Sequence, residues 1–322
     1  MQRLISPIFA LLWSDTAQAA EIAAGLDASG WQAVDRHAAQ HRLRPLLHCR
    51  AREGKWDVPP ACAQRWLASY RRSARRALDQ KVALVRIARC FGQNGVTAAA
   101  LKGGAFLWSG AIDPAVRPMR DLDLLVRPED AGLASALLTG MGFAEDPQSR
   151  PSDKHLPALT DGKVVVELHL HLFDTQDEAG SAREAGFVGR AWERKVASAI
   201  PGMHALCPTD TLLHLILHAV LDHQFNNGPL LFVDMPALVQ SGAIDWALLW
   251  REAEQIEAIR ACQLALALGE RYCGLAVDWQ GHAPTDLREA ELDVARRLML
   301  VDTAFRSAVG WPAQLLRLPA HR

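Results

Sequence analysis

Two aspartates, Asp121 and Asp123, are the residues of this sequence that most clearly predict chemistry. They belong to the apolar segment Asp-Leu-Asp-Leu-Leu-Val, which predicts a buried strand. Residues two apart on a strand point to one face, so both carboxylates share a face while Leu122, Leu124 and Val126 point toward a core. Two such carboxylates repel each other unless a cation lies between them. Mg²⁺ is bound by one or two carboxylates together with substrate phosphates, so the pair predicts a divalent metal site.

A glycine turn precedes this strand at Lys102-Gly103-Gly104. Glycine has no Cβ, so its backbone N–H groups can approach a phosphate closely. The turn and the two acids together predict a metal-dependent nucleotide site.

A third acid, Glu167, lies on the alternating segment 164–172, where it shares a face with His169 and His171. If this strand lies beside the Asp121–Asp123 strand, three carboxylates converge and can hold two Mg²⁺ ions. The alternative is an exposed sheet face whose polar residues simply meet water. A zinc site built from the two histidines and the aspartate pair is a further alternative, because imidazole and carboxylate both bind zinc.

Three further polar residues, His214, His218 and Asp222, follow one another at helical i, i+4 spacing. Such spacing can place metal ligands on one face of a helix. The histidines lie within an apolar run, however, and this context favours core histidines bonded to backbone or carboxylate.

The composition is typical of a globular protein, with half of the 322 residues hydrophobic and a net charge of −1. This balance argues against a dedicated duplex-DNA binder, although a nucleotide or a small RNA needs only a local cluster of cations. The basic segment 71–76 is interpreted as a solvated helix face over an acidic segment, rather than as a nucleic-acid contact. The six cysteines form no C-x-x-C pair, which is typical of reduced thiols in a cytoplasmic protein.

The N-terminus imitates a secretory signal, with Arg3 followed by an apolar run from Ile5 to Trp13. The run is short and contains Pro7, so a first amphipathic helix is the favoured interpretation. No run approaches the roughly 20 apolar residues of a membrane-spanning helix.

The order of predicted elements gives an α+β fold, in which a small mixed β-sheet core is flanked by N-terminal and C-terminal helical regions. We expect helices over 1–95, an α/β core over 96–206 and helices over 207–322. Asp161-Gly162 is a strong hairpin signal between two strands of the core. The core is expected to contain strands at 96–101, 121–126, 154–160 and 163–172, helices at 105–110 and 128–141, and a short hairpin within 195–206. The next helix is expected to start after Pro208 with Thr209 or Asp210 as its N-cap.

These motifs in this order resemble the uncharacterised nucleotidyltransferase family of bacteria, a branch of the polymerase-β-like superfamily. The resemblance covers residues 80–240 and rests on Leu-Lys-Gly-Gly, Arg-Pro-Met-Arg-Asp-Leu-Asp-Leu-Leu-Val, Val-Glu-Leu-His and Leu-Leu-His-Leu-Ile-Leu-His. It implies that Gly103 and Gly104 form the phosphate turn. It also implies that Asp121, Asp123 and Glu167 are the catalytic, metal-binding acids.

Beside these motifs, Lys102, Arg117 and Arg120 are expected to neutralise triphosphate charge, and His169 is a candidate for a supporting role. The superfamily turn usually continues Gly-Ser, whereas Ala105 follows Gly104 here. Ser109 lies one helical turn further on and is the candidate replacement for that hydroxyl. The third acid is also a glutamate where aspartate is common.

The resulting hypothesis is an enzyme that uses Mg²⁺, or Mn²⁺, and transfers a nucleotidyl group from an NTP such as ATP. The acceptor is left open as a peptide, a saccharide or another small molecule, with a small RNA less favoured, and a tailoring role is expected. Two alternatives are glycosyl transfer from a nucleotide sugar to a peptide or phosphate, and a non-catalytic, antitoxin-like protein that binds a partner.

Overall fold

The computed structural model describes residues 7–149, 152–175, 177–225 and 227–301. Part of the signal-like segment, including Arg3 and Ile5, and the helices expected after residue 301 lie outside the described residues. No helix within the described ranges is both long and apolar enough to cross a bilayer. All six cysteines are free thiols.

The mixed α+β fold predicted from the sequence is confirmed. The α-helices are α1 (Pro7–Trp13), α2 (Thr16–Ala24), α3 (Ala28–Gln40), α4 (Arg44–Glu53), α5 (Pro60–Gln93), α6 (Lys102–Phe106), α7 (Ala131–Gly140), α8 (Glu178–Glu193), α9 (Pro208–Leu217), α10 (Leu231–Gln240), α11 (Trp246–Gln255), α12 (Ile259–Cys273) and α13 (Glu289–Met299). A 3₁₀ turn at Pro128–Asp130 precedes α7, and a π-helical segment at His218–Asp222 continues α9.

One mixed sheet joins the strands in the order β3-β4-β5-β2-β1-β7-β6. Its strands are β1 (Ala98–Ala100), β2 (Asp121–Val126), β3 (Ala144–Glu145), β4 (Leu159–Thr160), β5 (Val165–His169), β6 (Val196–Ala197) and β7 (His204–Ala205). β2 lies centrally, antiparallel to β1 and parallel to β5.

Apolar side chains cover both faces of this sheet. Leu122 and Leu124 of β2 pack on one side with Ile87 and Phe91 of α5, which confirms the core expected beneath the Asp-Leu-Asp strand. Leu125 packs on the opposite side with the C-terminal helices. Asp121 and Asp123 therefore share the face of β2 that the C-terminal helices cover.

The turn between β4 and β5 forms where Asp161-Gly162 predicts it. The Asp161 carboxylate accepts hydrogen bonds from the backbone N–H groups of Lys163 and Val164 at 2.9 Å, and Gly162 adopts φ 84°. Residues other than glycine are rare at such φ, so the sequence specifies the turn locally.

The flanking strands are shorter than expected. The isolated bridge between His155 and His169 continues the pairing beyond β4. The Lys154 carbonyl oxygen also accepts from the N–H groups of Leu170 and His171, at 2.8 and 3.1 Å, but no regular strand is formed there.

Three helix boundaries also differ from the sequence-based expectations. α6 begins at Lys102 rather than Ala105, because Gly103 and Phe106 are buried as soon as the chain leaves β1. The helix expected from Pro128 opens as a 3₁₀ turn before α7. The N-cap of α9 is Cys207, whose sulfur accepts from the Asp210 N–H, so the expectation of Thr209 or Asp210 was wrong. Strand β3 was not expected, since its two residues carry no periodic signal.

Candidate functional site

The three acids meet because β2 and β5 are parallel neighbours in register. Asp123 is the register partner of Glu167, and Asp121 is the partner of Val165. From the sequence, the three acids were expected to converge only if these two strands are neighbours. The structure shows that they are. All three carboxylates therefore belong to one patch on one face of the sheet.

His169 joins this patch two residues after Glu167. Its Nε2 lies 2.8 Å from Asp123 Oδ1 and 3.5 Å from Glu167 Oε2. Asp123, Glu167 and His169 each offer one ligand atom, and these atoms lie within 4.8 Å of one another. This buried group is compatible with a divalent metal ion.

The two ring nitrogens of His169 both face acceptors, since Nδ1 lies 3.4 Å from the His171 carbonyl oxygen. Only the imidazolium form can donate from both nitrogens. Burial lowers the pKa of His169, but the hydrogen bonds to Asp123 and Glu167 outweigh burial, and the net shift is upward. The upward shift favours the protonated form of His169, whose charge would offset part of the acid charge.

Lys102 supplies a second cation, with Nζ 2.9 Å from Asp123 Oδ1. Burial lowers the pKa of Lys102, but Asp123 and Asp121 outweigh it and raise the pKa above its usual value. Burial likewise raises the pKa of Asp123, but Lys102 and His169 hold it well below its ordinary range. Glu167 follows the same pattern: burial raises its pKa, but the hydrogen bond from His169 and the charges of His155 and Lys102 together lower it.

Asp121 behaves differently from the other acids. Burial and the neighbouring charge of Asp123 raise its pKa to about 6, because Lys102 and Arg42 compensate only in part. Asp121 is therefore the acid of the patch whose ionisation gains most from an added cation.

The Lys-Gly-Gly turn lies directly after β1, and Lys102 adopts φ 47°, a left-handed backbone conformation. A Cβ on Gly103 would lie 2.1 Å from both Arg117 Nη1 and Met119 Sδ. A Cβ on Gly104 would find its nearest neighbour at 3.6 Å, an ordinary contact. Gly103 is thus required by the packing of two side chains over the turn, whereas Gly104 is not.

Three of the residues expected to bind phosphate or to support the site have surroundings that differ from one another. Arg117 donates to Asp234 of α10 at 2.7 and 2.6 Å, so a bidentate pair already holds its guanidinium. Arg120 is exposed at the cleft and makes no ion pair with any described residue. Ser109 lies outside the cleft, where its hydroxyl donates to the Phe106 carbonyl.

A cleft of about 950 Å³ opens over the acid patch. Its walls come from all three regions of the chain, and several of its residues were not selected as site residues from the sequence. The N-terminal helices contribute Arg42, and the segment before β4 contributes Lys154 and His155. The C-terminal helices contribute His218 and Asp222. The i, i+4 spacing of these last two was the one signal that could have found them.

The basic segment 71–76 lies away from this cleft on α5. Arg71, Arg72, Arg75 and Arg76 are exposed and form no ion pair with described residues. The acidic segment expected beneath them is therefore not seen in the described part of the chain.

A family model for an uncharacterised nucleotidyltransferase matches residues 27–274, most of the chain. The chain belongs to this family. It is accordingly an enzyme that transfers nucleotidyl groups, and a nucleotide is its substrate. The chain matches no curated protein and no solved structure.

The donor set of this nucleotidyltransferase fits a hard divalent cation. Asp121, Asp123 and Glu167 supply carboxylate oxygens, the ligands that Mg²⁺ and Mn²⁺ prefer. His169 could complete a zinc site, but His171, the second histidine of the zinc alternative, turns to Glu184 of α8, with 2.9 Å between Nδ1 and Oε2. The zinc site built from both histidines is therefore not formed in this arrangement.

Proposed function

We propose that the protein binds an NTP together with Mg²⁺ or Mn²⁺ and transfers its nucleotidyl group to an acceptor in the cleft. The observation that carries this proposal is the parallel pairing of Asp123 with Glu167 at the floor of the cleft, beside Asp121. Three acids on two adjacent strands would supply the ligands of a divalent cation. The bound cation would neutralise phosphate charge as the α-phosphorus is attacked.

The cations around the acids support binding of a triphosphate. Lys102 and Arg120 line the cleft, and Arg117 lies against Gly103 of the turn. Their charges would balance the triphosphate, and the backbone of Gly103 and Gly104 would form the phosphate turn. Arg117 would act from its fixed position beside Asp234, since the bidentate pair uses two of its five N–H donors and leaves the others for a ligand.

The reaction is a displacement at the α-phosphorus. An oxygen of the acceptor forms a bond to that phosphorus, and the bond from the phosphorus to the bridging oxygen breaks. Pyrophosphate leaves with the bonding electrons. The chain's own part is to hold the triphosphate and the acceptor in line in the cleft.

Isothermal titration calorimetry with Mg²⁺ and each NTP tests whether the protein binds the nucleotide donor. We expect binding by the wild type and its loss in the Asp121→Asn/Asp123→Asn variant, because two ligand charges are removed without a change in shape. Glu129→Gln/Glu145→Gln is a matched control that removes two exposed carboxylates outside the cleft. Absence of NTP binding by the wild type, or unchanged binding by the double aspartate variant, would refute the proposal.

Mass spectrometry of incubated acceptors tests the transferred group. A nucleotidyl mass gain on a peptide or saccharide supports the proposal. A hexose gain from a nucleotide sugar would instead support the glycosyl-transfer alternative.

A further inference from the structure

A histidine of the C-terminal helices lines the cleft that opens over the acids. His218 begins the π-helical segment that continues α9, and it lines the same cleft as Asp121, Asp123 and Glu167. π-helical turns inside helices are rare and occur frequently at functional sites. The proposed donor chemistry does not use this residue.

Asp222, four residues further on, fixes the imidazole of His218. Its Oδ2 lies 3.2 Å from His218 Nδ1 and 2.8 Å from Lys154 Nζ, and its Oδ1 accepts the Asp174 backbone N–H at 3.0 Å. The carboxylate is buried, and the hydrogen bond from His218 and the charge of Lys154 outweigh burial and lower its pKa. An ionised carboxylate only accepts hydrogen bonds, so Nδ1 of His218 carries the proton.

The remaining ring nitrogen, Nε2, then carries a lone pair. It has no hydrogen-bond partner among the described residues and lies at the wall of the cleft. The ring of His223 stands perpendicular to that of His218, with 4.5 Å between centroids, which further limits rotation. This pattern, a base oriented by a buried acid, is the geometry of a general base.

The charges around His218 favour its neutral form. Lys102 faces it from α6, Lys154 from the segment before β4, and His214, Asp222 and His223 from its own helix. Burial first, and then the charge of Lys102, lower the pKa of His218 well below its ordinary value. In the neutral form, Nε2 has a lone pair that can accept the proton of a bound acceptor.

We propose that His218 is the catalytic base that receives the proton of a hydroxyl-bearing acceptor. The inference rests on the proposed nucleotidyl transfer and identifies the acceptor class as an alcohol. The acceptor O–H gives its proton to Nε2 of His218 while its oxygen bonds to the α-phosphorus. The bond from that phosphorus to the bridging oxygen breaks, and pyrophosphate leaves.

An anionic acceptor suits this wall less well than an alcohol. Asp153, Asp174 and Asp222 all line the cleft near His218, and Lys154 is already paired with two of them, at 3.3 Å from Asp174 and 2.8 Å from Asp222. An ionised phosphate or carboxylate would meet this acid-rich wall, and its charged oxygen needs no base to attack. A neutral hydroxyl can donate to Nε2 without a charge penalty.

Glu167 is the competing candidate for the base. It belongs to the acid patch that faces the metal, and its Oε2 lies 3.5 Å from His169 and 3.7 Å from His155. The Glu167 carboxylate is thus already in contact with two histidines beside the proposed metal site. His218 Nε2, in contrast, has no hydrogen-bond partner among the described residues.

The test uses the full chain, Mg–ATP and glycerol as a simple alcohol. Pyrophosphate release and the mass of nucleotidyl-glycerol report turnover, and calorimetry reports Mg–ATP binding. We expect His218→Gln to lower turnover about 100-fold, the lower end of general-base effects, with unchanged affinity for Mg–ATP. Free imidazole should restore part of the activity of His218→Ala, which a merely structural role would not allow.

His171→Gln is the matched control, because His171 is also paired with a buried carboxylate, Glu184, but lies outside the cleft. It should retain wild-type turnover. Thermal unfolding of each variant checks that the fold is intact.

The outcomes separate the two proposals. Full turnover by His218→Gln would overturn the role of His218 while leaving nucleotidyl transfer standing. A wild type that binds Mg–ATP but modifies inorganic phosphate and not glycerol, or modifies neither, would overturn the alcohol class. No binding of Mg–ATP by the wild type would refute the nucleotidyl-transfer proposal itself, and this inference with it.

Discussion

At the scale of single residues, the site consists of acids whose charges are balanced unequally. Asp123 contacts both Lys102 and His169, whereas Asp121 forms no ion pair within the described residues. The consequence is a pair of neighbouring aspartates with pKa values shifted in opposite directions. Such a pair binds a cation more tightly when both carboxylates are ionised.

The raised pKa of Asp121 predicts that metal binding weakens in mild acid. With a pKa of about 6, Asp121 is ionised at pH 7.5 and protonated below pH 6, so a proton competes with the metal only on the acid side. We expect the affinity for Mn²⁺ to fall about tenfold between pH 7.5 and pH 5 through this group alone. Electron paramagnetic resonance of free Mn²⁺ at the two pH values measures this change in affinity.

Asp121→Asn is the control for this titration, because it removes the ionisable group and retains the shape. It should bind Mn²⁺ more weakly at pH 7.5 and lose this part of the pH dependence. Equal affinity of the wild type at both pH values would contradict the prediction.

Removal of Lys102 should expose a competition between this lysine and the metal. Lys102→Met leaves the buried Asp123 with His169 as its remaining ion-pair partner among the described residues, and we expect a loss of about 3 kcal/mol of unfolding free energy, the lower end for a broken buried pair. Mg²⁺ can supply the missing charge, so we expect it to raise the melting temperature more in the variant than in the wild type.

Lys81→Met is the control for this substitution, since Lys81 lies over the ring of Trp108, outside the cleft. It should leave the effect of Mg²⁺ unchanged. If Mg²⁺ raised the melting temperature of Lys102→Met and of the wild type equally, Lys102 and the metal would not compete.

At the scale of elements, the site depends on how β1, α6 and β2 pack together. Leu101 N–H donates to the Asp123 carbonyl oxygen at 2.9 Å, which fixes the start of the glycine turn beside the acid strand. Arg117 and Met119 then fold over Gly103. The turn is therefore held by tertiary contacts on both of its sides.

The two adjacent glycines should respond differently to the same substitution. Gly103→Ala places a methyl group 2.1 Å from Arg117 and Met119, so we expect a loss of about 1–3 kcal/mol as these side chains are displaced. Gly104→Ala meets only ordinary contacts and should be near neutral. Urea denaturation of both variants measures the difference, and equal stability of the two would be inconsistent with the packing described.

At the scale of the whole molecule, the cleft exists only where all three regions meet. The acid-bearing strands β2 and β5 contribute to its lining, together with Arg42 after α3 and His218 after α9. The division into regions 1–95, 96–206 and 207–322 stays a prediction. The shared hydrophobic clusters show how closely these regions depend on one another.

We expect the isolated segment 96–206 not to unfold cooperatively. It lacks α5, which packs Ile87 and Phe91 on one face of the sheet, and α9, which packs Leu212 and Ile216 on the other. Circular dichroism in urea compares it with the full chain. A cooperative transition with native-like near-ultraviolet signal in the fragment would contradict this prediction and support an independent core.

Much of the site could be predicted from the sequence because its signals are local. Alternation along the chain placed Asp121 and Asp123 on one face and Glu167 with His169 on another strand, and Asp161-Gly162 marked the turn before that strand. These patterns arise from the two-residue period of a strand and the backbone freedom of glycine, both of which act over a few residues.

Only the tertiary structure decided what these local elements face. Parallel pairing of β2 and β5 brought Glu167 beside Asp123, and the segment after α9 brought His218 to the same cleft. The sequence alone determined a pair of acids that requires a cation, a glycine turn and a third acid on an alternating strand. It could not determine the partners, because charge balance and burial are set by residues far apart in the chain, such as Arg117 with Asp234 and Lys154 with Asp222.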